Sequence, residues 1–214
     1  MAGFFALLGF MSLQLVHIAQ DLNGYWTWFI LLKTMISGYI AADFASGFVH
    51  WLGDTFGEED WPVLGAGFIK PFRDHHVDPE GITRHDFIEV NGNNCFVLLM
   101  VLAIPAIFVP HTWGYVSFAL LSFMMSLSFG VFMTNQFHKW AHQQQPHPLV
   151  QRLQRSSMIL SPKNHNVHHT SPYKHSYCIT CGWLNPMLDY TNFWRHAERV
   201  VGFVTRRDYS KTTH

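Results

Sequence analysis

Four apolar stretches separated by polar segments dominate the hydrophobic pattern of this sequence. They cover residues 1–18, 25–51, 95–110 and 113–134. A helix that crosses the hydrocarbon core of a bilayer needs about 20 apolar residues, with a range of about 17–25. The second and fourth stretches meet this length, whereas the third carries Pro105 and needs its neighbours to reach it. The first lacks the basic start and the small-residue cleavage site of a signal peptide, so we expect a retained span.

This pattern predicts an all-α integral membrane protein with about four transmembrane helices. The connectors at 20–24 and 110–113 are short, so the spans are expected to pair as two helical hairpins. No internal repeat interrupts the chain, and residues 1–214 are expected to form a single domain. Residues 52–93 and 138–214 would then lie outside the bilayer, as loops and short helices that form one cap.

The basic residues are distributed very unevenly along this pattern. Of the 14 Lys and Arg, only Lys33 lies within a predicted span, three lie in residues 52–93, and ten follow residue 138. Loops rich in Lys and Arg stay on the cytosolic side of a membrane. We therefore expect the cap to be cytosolic, in a bacterial inner membrane or the endoplasmic reticulum. A soluble helical protein with a very apolar core is the alternative that this charge sorting disfavours.

Composition agrees with a membrane protein and excludes other classes. Charged residues make up 13% of the chain, about half of the roughly 25% typical of soluble domains. The net charge is zero with neutral histidine, so nothing indicates a nucleic-acid partner. Three cysteines are too few for a disulfide scaffold. Cys178 and Cys181 form a CxxC without a second pair, and are interpreted as packing residues. The 15 histidines are the anomaly, because they outnumber Lys plus Arg.

Nine of these histidines are expected on one side of the membrane, with His50 at the end of the second span and the other eight in the predicted cap. Residues three or four apart on a helix share a face, so members of the HKWAH and HNVHH segments can bind one ion together. The adjacent pair in RDHHVDP points apart and could serve two metals. Nine imidazoles are too many for one ion, which takes four to six ligands. The predicted metal-binding and catalytic residues are His50, His75, His76, His85, His138, His142, His165, His168 and His169.

Two carboxylates are predicted to lie behind these ligands. Asp43 is inside the second span, two turns before His50 on the same face, where it could orient that imidazole. Asp78 follows the RDHHVDP histidines and is the second candidate. His17, His111, His147, His175, His196 and His214 are not assigned to the site.

Imidazole suits Fe, Zn, Cu and Ni, so the ligands alone do not name the metal. A site just below lipid faces inert C–H bonds, which favours iron with O2 as co-substrate. Zinc has no redox chemistry, so a zinc lipid hydrolase is a weaker alternative. A non-enzymatic membrane carrier of metal or haem is also weaker, since only His50 lies at the end of a span.

Four segments carry a resemblance that covers residues 43–194. They are DFASGFVHW, FIKPFRDHHVDPEGITRHDFIEVNGNNC, TNQFHKWAH and NHNVHHTSPYKHSYCIT. The sequence resembles the plasmalogen-forming lipid desaturase family of histidine-rich membrane di-iron enzymes. That resemblance implies two iron ions, the nine histidines above, and an external electron donor of the cytochrome b5 or ferredoxin type. It also implies an ether phospholipid substrate, plasmanylethanolamine, whose 1-O-alkyl chain is dehydrogenated to a vinyl ether. A desaturase or hydroxylase of a phospholipid acyl chain is the alternative.

Overall fold

The computed structural model describes residues 1–22 and 24–209, so His214 lies outside the described part. Within that part the regular structure is helical, with no strand. Two short 3₁₀ helices and one π-helical turn accompany the α-helices. The α-helices are α1 (Ala2–Asp21), α2 (Tyr25–Thr55), α3 (Lys70–Val77), α4 (Phe87–Ile107), α5 (Tyr115–His142), α6 (Pro148–Arg155), α7 (Pro162–His168), α8 (Asn185–Tyr190) and α9 (Phe193–Thr205).

Helices α1, α2, α4 and α5 are long and apolar enough to cross a membrane. The prediction of an all-α protein with four transmembrane helices is therefore confirmed, and the chain is a multi-pass membrane protein. Helices α2 and α5 continue to Thr55 and His142, beyond the span ends predicted at 51 and 134. Each of these two helices thus carries histidines on its last turns.

Helix α4 begins at Phe87, whereas the third span was predicted from residue 95. Its start is fixed by a capping box, in which the Asp86 carboxylate accepts from the backbone N–H of Glu89 and the Glu89 side chain accepts from that of Asp86. Such a box provides acceptors for backbone N–H groups at the start of a helix, which have no acceptor within the helix itself. The asparagines that lowered local hydropathy lie inside the helix, where Asn94 donates to the backbone carbonyl of Val131 at 2.8 Å.

The chain divides into two compact units, of which the first comprises Met1–Ala42 and Asp86–Gln136. Its core is apolar, with Met11 and Leu121 fully buried. Helices α2 and α5 approach closely here, because a Cβ added at Gly38 would lie 2.5 Å from the carbonyl oxygen of Phe123. Where these helices meet, the Ser126 hydroxyl also donates to the backbone carbonyl of Met35 at 2.5 Å. Small residues commonly allow membrane helices to pack this tightly.

The second unit comprises Asp43–His85 and the chain from Phe137 onward. It contains the short helices α3 and α6–α9 together with the last turns of α2 and α5. Its apolar core includes the buried side chains of Trp51, Tyr177, Leu188 and Trp194. An irregular segment of residues 170–184, here called the 170–184 loop, joins α7 to α8. All nine predicted histidine ligands belong to this unit.

Candidate metal centre

Five histidines of the second unit direct one ring nitrogen each toward a common point. These atoms all lie within 4.8 Å of one another, and their residues are His75, His138, His142, His165 and His169. Helix α3 supplies the first, the end of α5 the next two, and α7 with its C-cap residue the last two. We call this set the five-histidine group.

The spacing inside the five-histidine group fits a shared metal ion. The Nε2 atom of His165 lies 2.8 Å from that of His138 and 2.9 Å from that of His169. His75 and His169 bring theirs to 3.1 Å, and His138 and His142 to 3.2 Å. Nitrogens bound at about 2.1 Å to one ion lie about 3.0 Å apart at right angles, but about 3.4 Å apart in a tetrahedron. The four distances are short enough for these nitrogens to share one ion, and five donors exceed the four of a tetrahedral site.

A second set of four donors adjoins the first and contains a carboxylate. Asp54 Oδ2 lies 3.1 Å from His76 Nε2, 3.3 Å from His168 Nε2 and 3.5 Å from His50 Nε2. We call this set the four-donor group. His50 and His168 are completely buried and Asp54 is nearly so. Apart from this shared carboxylate, none of the three Nε2 atoms has a hydrogen-bond partner among the described residues, and a bound cation would satisfy all three.

Backbone carbonyls of the 170–184 loop set the tautomer of two of these rings. His50 Nδ1 lies 3.2 Å from the carbonyl oxygen of Tyr177, and His168 Nδ1 lies 2.9 Å from that of His175. A carbonyl oxygen can only accept, so each Nδ1 must carry the proton. The lone pair of each neutral ring is then on Nε2, which faces the four-donor group. This is the arrangement that orients metal-binding histidines in proteins.

The electrostatics of the groups outside the membrane helices favour neutral imidazoles. Burial lowers the pKa of His75 and of His165 well below the ordinary value for histidine. Burial lowers the pKa of His169 to about 3, with neighbouring histidines adding to the effect. Neutral imidazole is the form that binds metal, so these side chains are ready to bind it at pH 7.

Asp43 has a different role from the one predicted, because it contacts the 170–184 loop and the start of α8 instead of His50. Its Oδ1 accepts from the backbone N–H of Cys181 at 2.9 Å and of Gly182 at 2.8 Å. Its Oδ2 accepts from the backbone N–H of Leu184 at 3.1 Å. His50 receives its partner from that loop, through the carbonyl of Tyr177. The carboxylate therefore orients His50 only indirectly, by fixing the segment that holds it.

Two further residues on the same face of α2 hold this loop. Ser46 Oγ accepts from the backbone N–H of Ile179 at 3.0 Å. Gly47 lies directly against Cys178, because a Cβ added at Gly47 would be 2.5 Å from its Sγ. Only glycine permits so close an approach without displacement of the loop.

From the other side, α8 holds the same loop. Asn185 accepts from the backbone N–H of Cys178 and donates to its carbonyl, both at 2.9 Å. Asp189 accepts from the backbone N–H and the hydroxyl of Ser176. Burial raises the pKa of the Cys178 and Cys181 thiols well above the ordinary value. Both cysteines are buried and free of disulfides, as expected of packing residues.

Eight of the nine predicted histidines lie in the two groups. The adjacent histidines divide between them, since His75 belongs to the five-histidine group and His76 to the four-donor group. His85 lies apart from both, with an exposed ring and a backbone carbonyl that accepts from Lys139. Asp78 is also exposed and pairs with Arg84. Neither residue is a member of the two groups.

Asp54 was missed by the sequence reasoning, although a signal for it existed. It follows His50 by four residues in HWLGD, the spacing that identified His138 with His142. The adjacent glycine and the position just after the apolar stretch made the residue look like part of a loop. The two groups together have the composition and geometry of a metal-binding site.

Residues 39–211 match the lipid desaturase domain family. The chain is 49% identical to plasmanylethanolamine desaturase of Myxococcus xanthus, over 94% of this chain and 71% of the relative. It is 43% identical to plasmanylethanolamine desaturase 1 of Mus musculus, over 82% of this chain and 66% of the relative. Fatty acid desaturase 4, chloroplastic, of Arabidopsis thaliana is 34% identical, over 88% of this chain and 58% of the relative. No solved structure has significant similarity to the chain.

Proposed function

The chain belongs to the lipid desaturase family, and from this we propose that it desaturates an ether phospholipid. The reaction would remove two hydrogens from neighbouring carbons of the 1-O-alkyl chain of plasmanylethanolamine and leave the vinyl ether of a plasmalogen. The assignment of this substrate rests on the 49% identity, over 94% of the chain, to a relative with this activity in its name. The match with the family was expected from the sequence motifs and is confirmed.

We propose that each group holds one iron ion and that O2 is the co-substrate. The five imidazole donors of the first group support an ion with more than four ligands, whereas structural and catalytic zinc sites are mostly tetrahedral. Bound iron would supply, with O2, the oxidising power that breaks an unactivated C–H bond. This number of donors, together with the family, disfavours the zinc hydrolase alternative.

The protein's own residues contribute position and exclusion of water. Carbonyls of the 170–184 loop keep the Nε2 lone pairs of His50 and His168 directed at the four-donor group. Burial keeps His75, His165 and His169 neutral and limits the access of bulk water to the centre, which protects reactive species there. The proposed ligands are the eight histidines of the two groups and Asp54.

We further propose that residues 1–214 act as one domain whose metal-bearing side faces the cytosol. Support for this orientation comes from the thirteen Lys and Arg in the cap, against one in a predicted span. No flavin, haem or iron–sulfur motif occurs in the sequence, which supports an external electron donor of the cytochrome b5 or ferredoxin type. The membrane would be a bacterial inner membrane or the endoplasmic reticulum.

Desaturation of a phospholipid acyl chain is the second candidate, favoured by the 34% identity to a relative named fatty acid desaturase. The same metal groups would serve it, so only product analysis separates the two. The decisive experiment expresses the chain in cells that make alkyl ether lipids but lack the desaturase. Vinyl ether lipids should appear with the wild type and be absent with His168→Ala, as measured by mass spectrometry. New acyl double bonds without vinyl ethers would overturn the ether-lipid assignment.

A further inference from the structure

A small cavity adjoins the four-donor group, two of whose members, Asp54 and His76, line it. Its volume is about 10 Å³, close to the space that one water molecule requires. Its lining includes Asp54 and His76 of the four-donor group and, from the 170–184 loop, Lys174 and the exposed Pro172. The cavity therefore connects an otherwise buried metal-binding group with the part of the loop that meets solvent.

Glu198 of α9 is a buried carboxylate in the wall of this cavity. Its Oε1 accepts from Trp51 Nε1 at 3.3 Å, and its Oε2 accepts from Arg195 Nη1 at 2.6 Å. Arg195 also donates to the Tyr177 hydroxyl at 3.1 Å, and Tyr177 lines the cavity too. Nothing in the metal-binding geometry uses this carboxylate, although burying one is costly.

The proposed reaction needs protons that the lipid cannot supply in sufficient number. Desaturation follows R–CH2–CH2–R′ + O2 + 2 e⁻ + 2 H⁺ → R–CH=CH–R′ + 2 H2O, with the electrons coming from the external donor. Two of the four hydrogens in the product water come from the alkyl chain, and two must enter from solvent. Both water molecules must also leave a site whose histidines are buried.

We infer that this cavity is the aqueous port of the metal centre, in which a water relays protons from Glu198 toward the four-donor group. The inference rests on the proposed function, because only an O2-consuming reaction needs this supply. Several charged and titratable groups share a cavity lining with Glu198. In this cavity they are Asp54 from α2, His76 from α3, and Tyr173, Lys174 and Tyr177 from the 170–184 loop. Glu198 also lines a second cavity with Arg195 and Arg199 of α9 and with Arg207, Asp208 and Tyr209. Burial raises the pKa of the Glu198 carboxyl above its ordinary value, which helps it carry a proton.

The first test uses Glu198→Gln in the iron-loaded full chain, with Glu58→Gln as the matched control because Glu58 is exposed. Glu198→Gln should lower turnover at least about tenfold, raise the hydrogen peroxide released per O2 and increase the solvent deuterium isotope effect. Added formate, a small weak acid, should restore turnover, and Glu198→Asp should retain part of it. Turnover and isotope effect equal to wild type would overturn the proposal. A loss of turnover that is accompanied by loss of iron and is not restored by formate would also overturn the proposal. That outcome would identify a structural role for Glu198.

The second test measures access without turnover. Thr55 lines the cavity, and Thr55→Leu adds bulk there, with Thr205→Leu on the exposed side of α9 as the control. In iron-loaded protein of wild-type iron content, Thr55→Leu should slow azide binding, followed by absorbance, while Thr205→Leu should not. Equal azide-binding rates in all three proteins would overturn the port. Failure of the wild type to form any desaturated lipid would instead count against the proposed function, whatever the azide rates are.

Discussion

Replacing Asp43 with asparagine should release the 170–184 loop without changing the shape of the side chain. The carboxylate accepts three backbone N–H groups, from Cys181, Gly182 and Leu184, and is completely buried. An asparagine retains one acceptor oxygen, and its amide group must face at least one of these donors. The substitution therefore leaves one N–H unsatisfied and turns two charge-assisted bonds into neutral ones.

The expected cost follows from these contacts. A buried N–H left without an acceptor costs about 1–3 kcal/mol, and each weakened bond costs about 1 kcal/mol more. The sum of about 3–5 kcal/mol is a large share of the about 5–15 kcal/mol that stabilises a typical domain. For a chain of this length the unfolding midpoint would fall by about 6–20 °C.

The same substitution should weaken metal binding in one group only. His50 and His168 take their ring orientation from carbonyls of this loop, and loss of such partners typically costs about 10–100-fold in metal affinity. The hydrogen bonds of the Asp43 carboxylate all go to the 170–184 loop and none to the five-histidine group. Asp43→Asn is therefore expected to retain about half of the wild-type iron.

Thermal unfolding of metal-free protein in detergent, followed by elemental analysis of iron-loaded protein, measures both effects. Asp21→Asn, at the exposed end of α1, makes the same chemical change and should match the wild type. If Asp43→Asn kept the wild-type midpoint and full iron content, the loop would not depend on this carboxylate and the reasoning would be refuted.

Four further outcomes test other parts of the structure. His85→Ala should leave metal content and product formation unchanged because the ring is exposed and is not a member of either group. Loss of metal in this variant, measured by elemental analysis, would show that His85 is a ligand. Asp54→Ala should remove the metal of the four-donor group alone, so full metal content would contradict its assignment. Gly47→Ala should lower the unfolding midpoint, since its Cβ would lie 2.5 Å from Cys178 Sγ; an unchanged midpoint would mean that the loop yields easily. At pH 8 the raised pKa of Cys178 and Cys181 leaves almost no thiolate. Iodoacetamide should therefore label both cysteines only after denaturation, as measured by peptide mass spectrometry. Rapid labelling of the folded protein would show that they are accessible.

Hydropathy and histidine spacing were sufficient to predict the four membrane helices and eight of the nine donors now found together. Both signals are local, because they depend on residues within one or two helical turns. The start of α4 was missed since its asparagines lower hydropathy, yet they are satisfied by contacts such as Asn94 with the Val131 carbonyl. That compensation involves a distant helix and has no local signature.

The role of Asp43 could not be predicted for the same reason. Its position inside a span correctly indicated that the carboxylate was important, but its partners are backbone groups with no residue-specific signal. Cys181 lies 138 residues further along the chain. The backbone carbonyls that orient His50 and His168 are equally invisible in the sequence, since every residue has one.

This separation along the chain also orders the events of biosynthesis. Helix α2 leaves the ribosome with Asp43 and His50 already in place, but their partners belong to the 170–184 loop. At about 5–20 residues per second, the 138 residues between Asp43 and Cys181 take roughly 7–28 s to synthesise. During that interval the carboxylate lacks the three backbone N–H groups that later donate to it. The metal centre can therefore be completed only after translation of nearly the whole chain, and a ribosome that stalls within α6 or α7 leaves a product unable to build it.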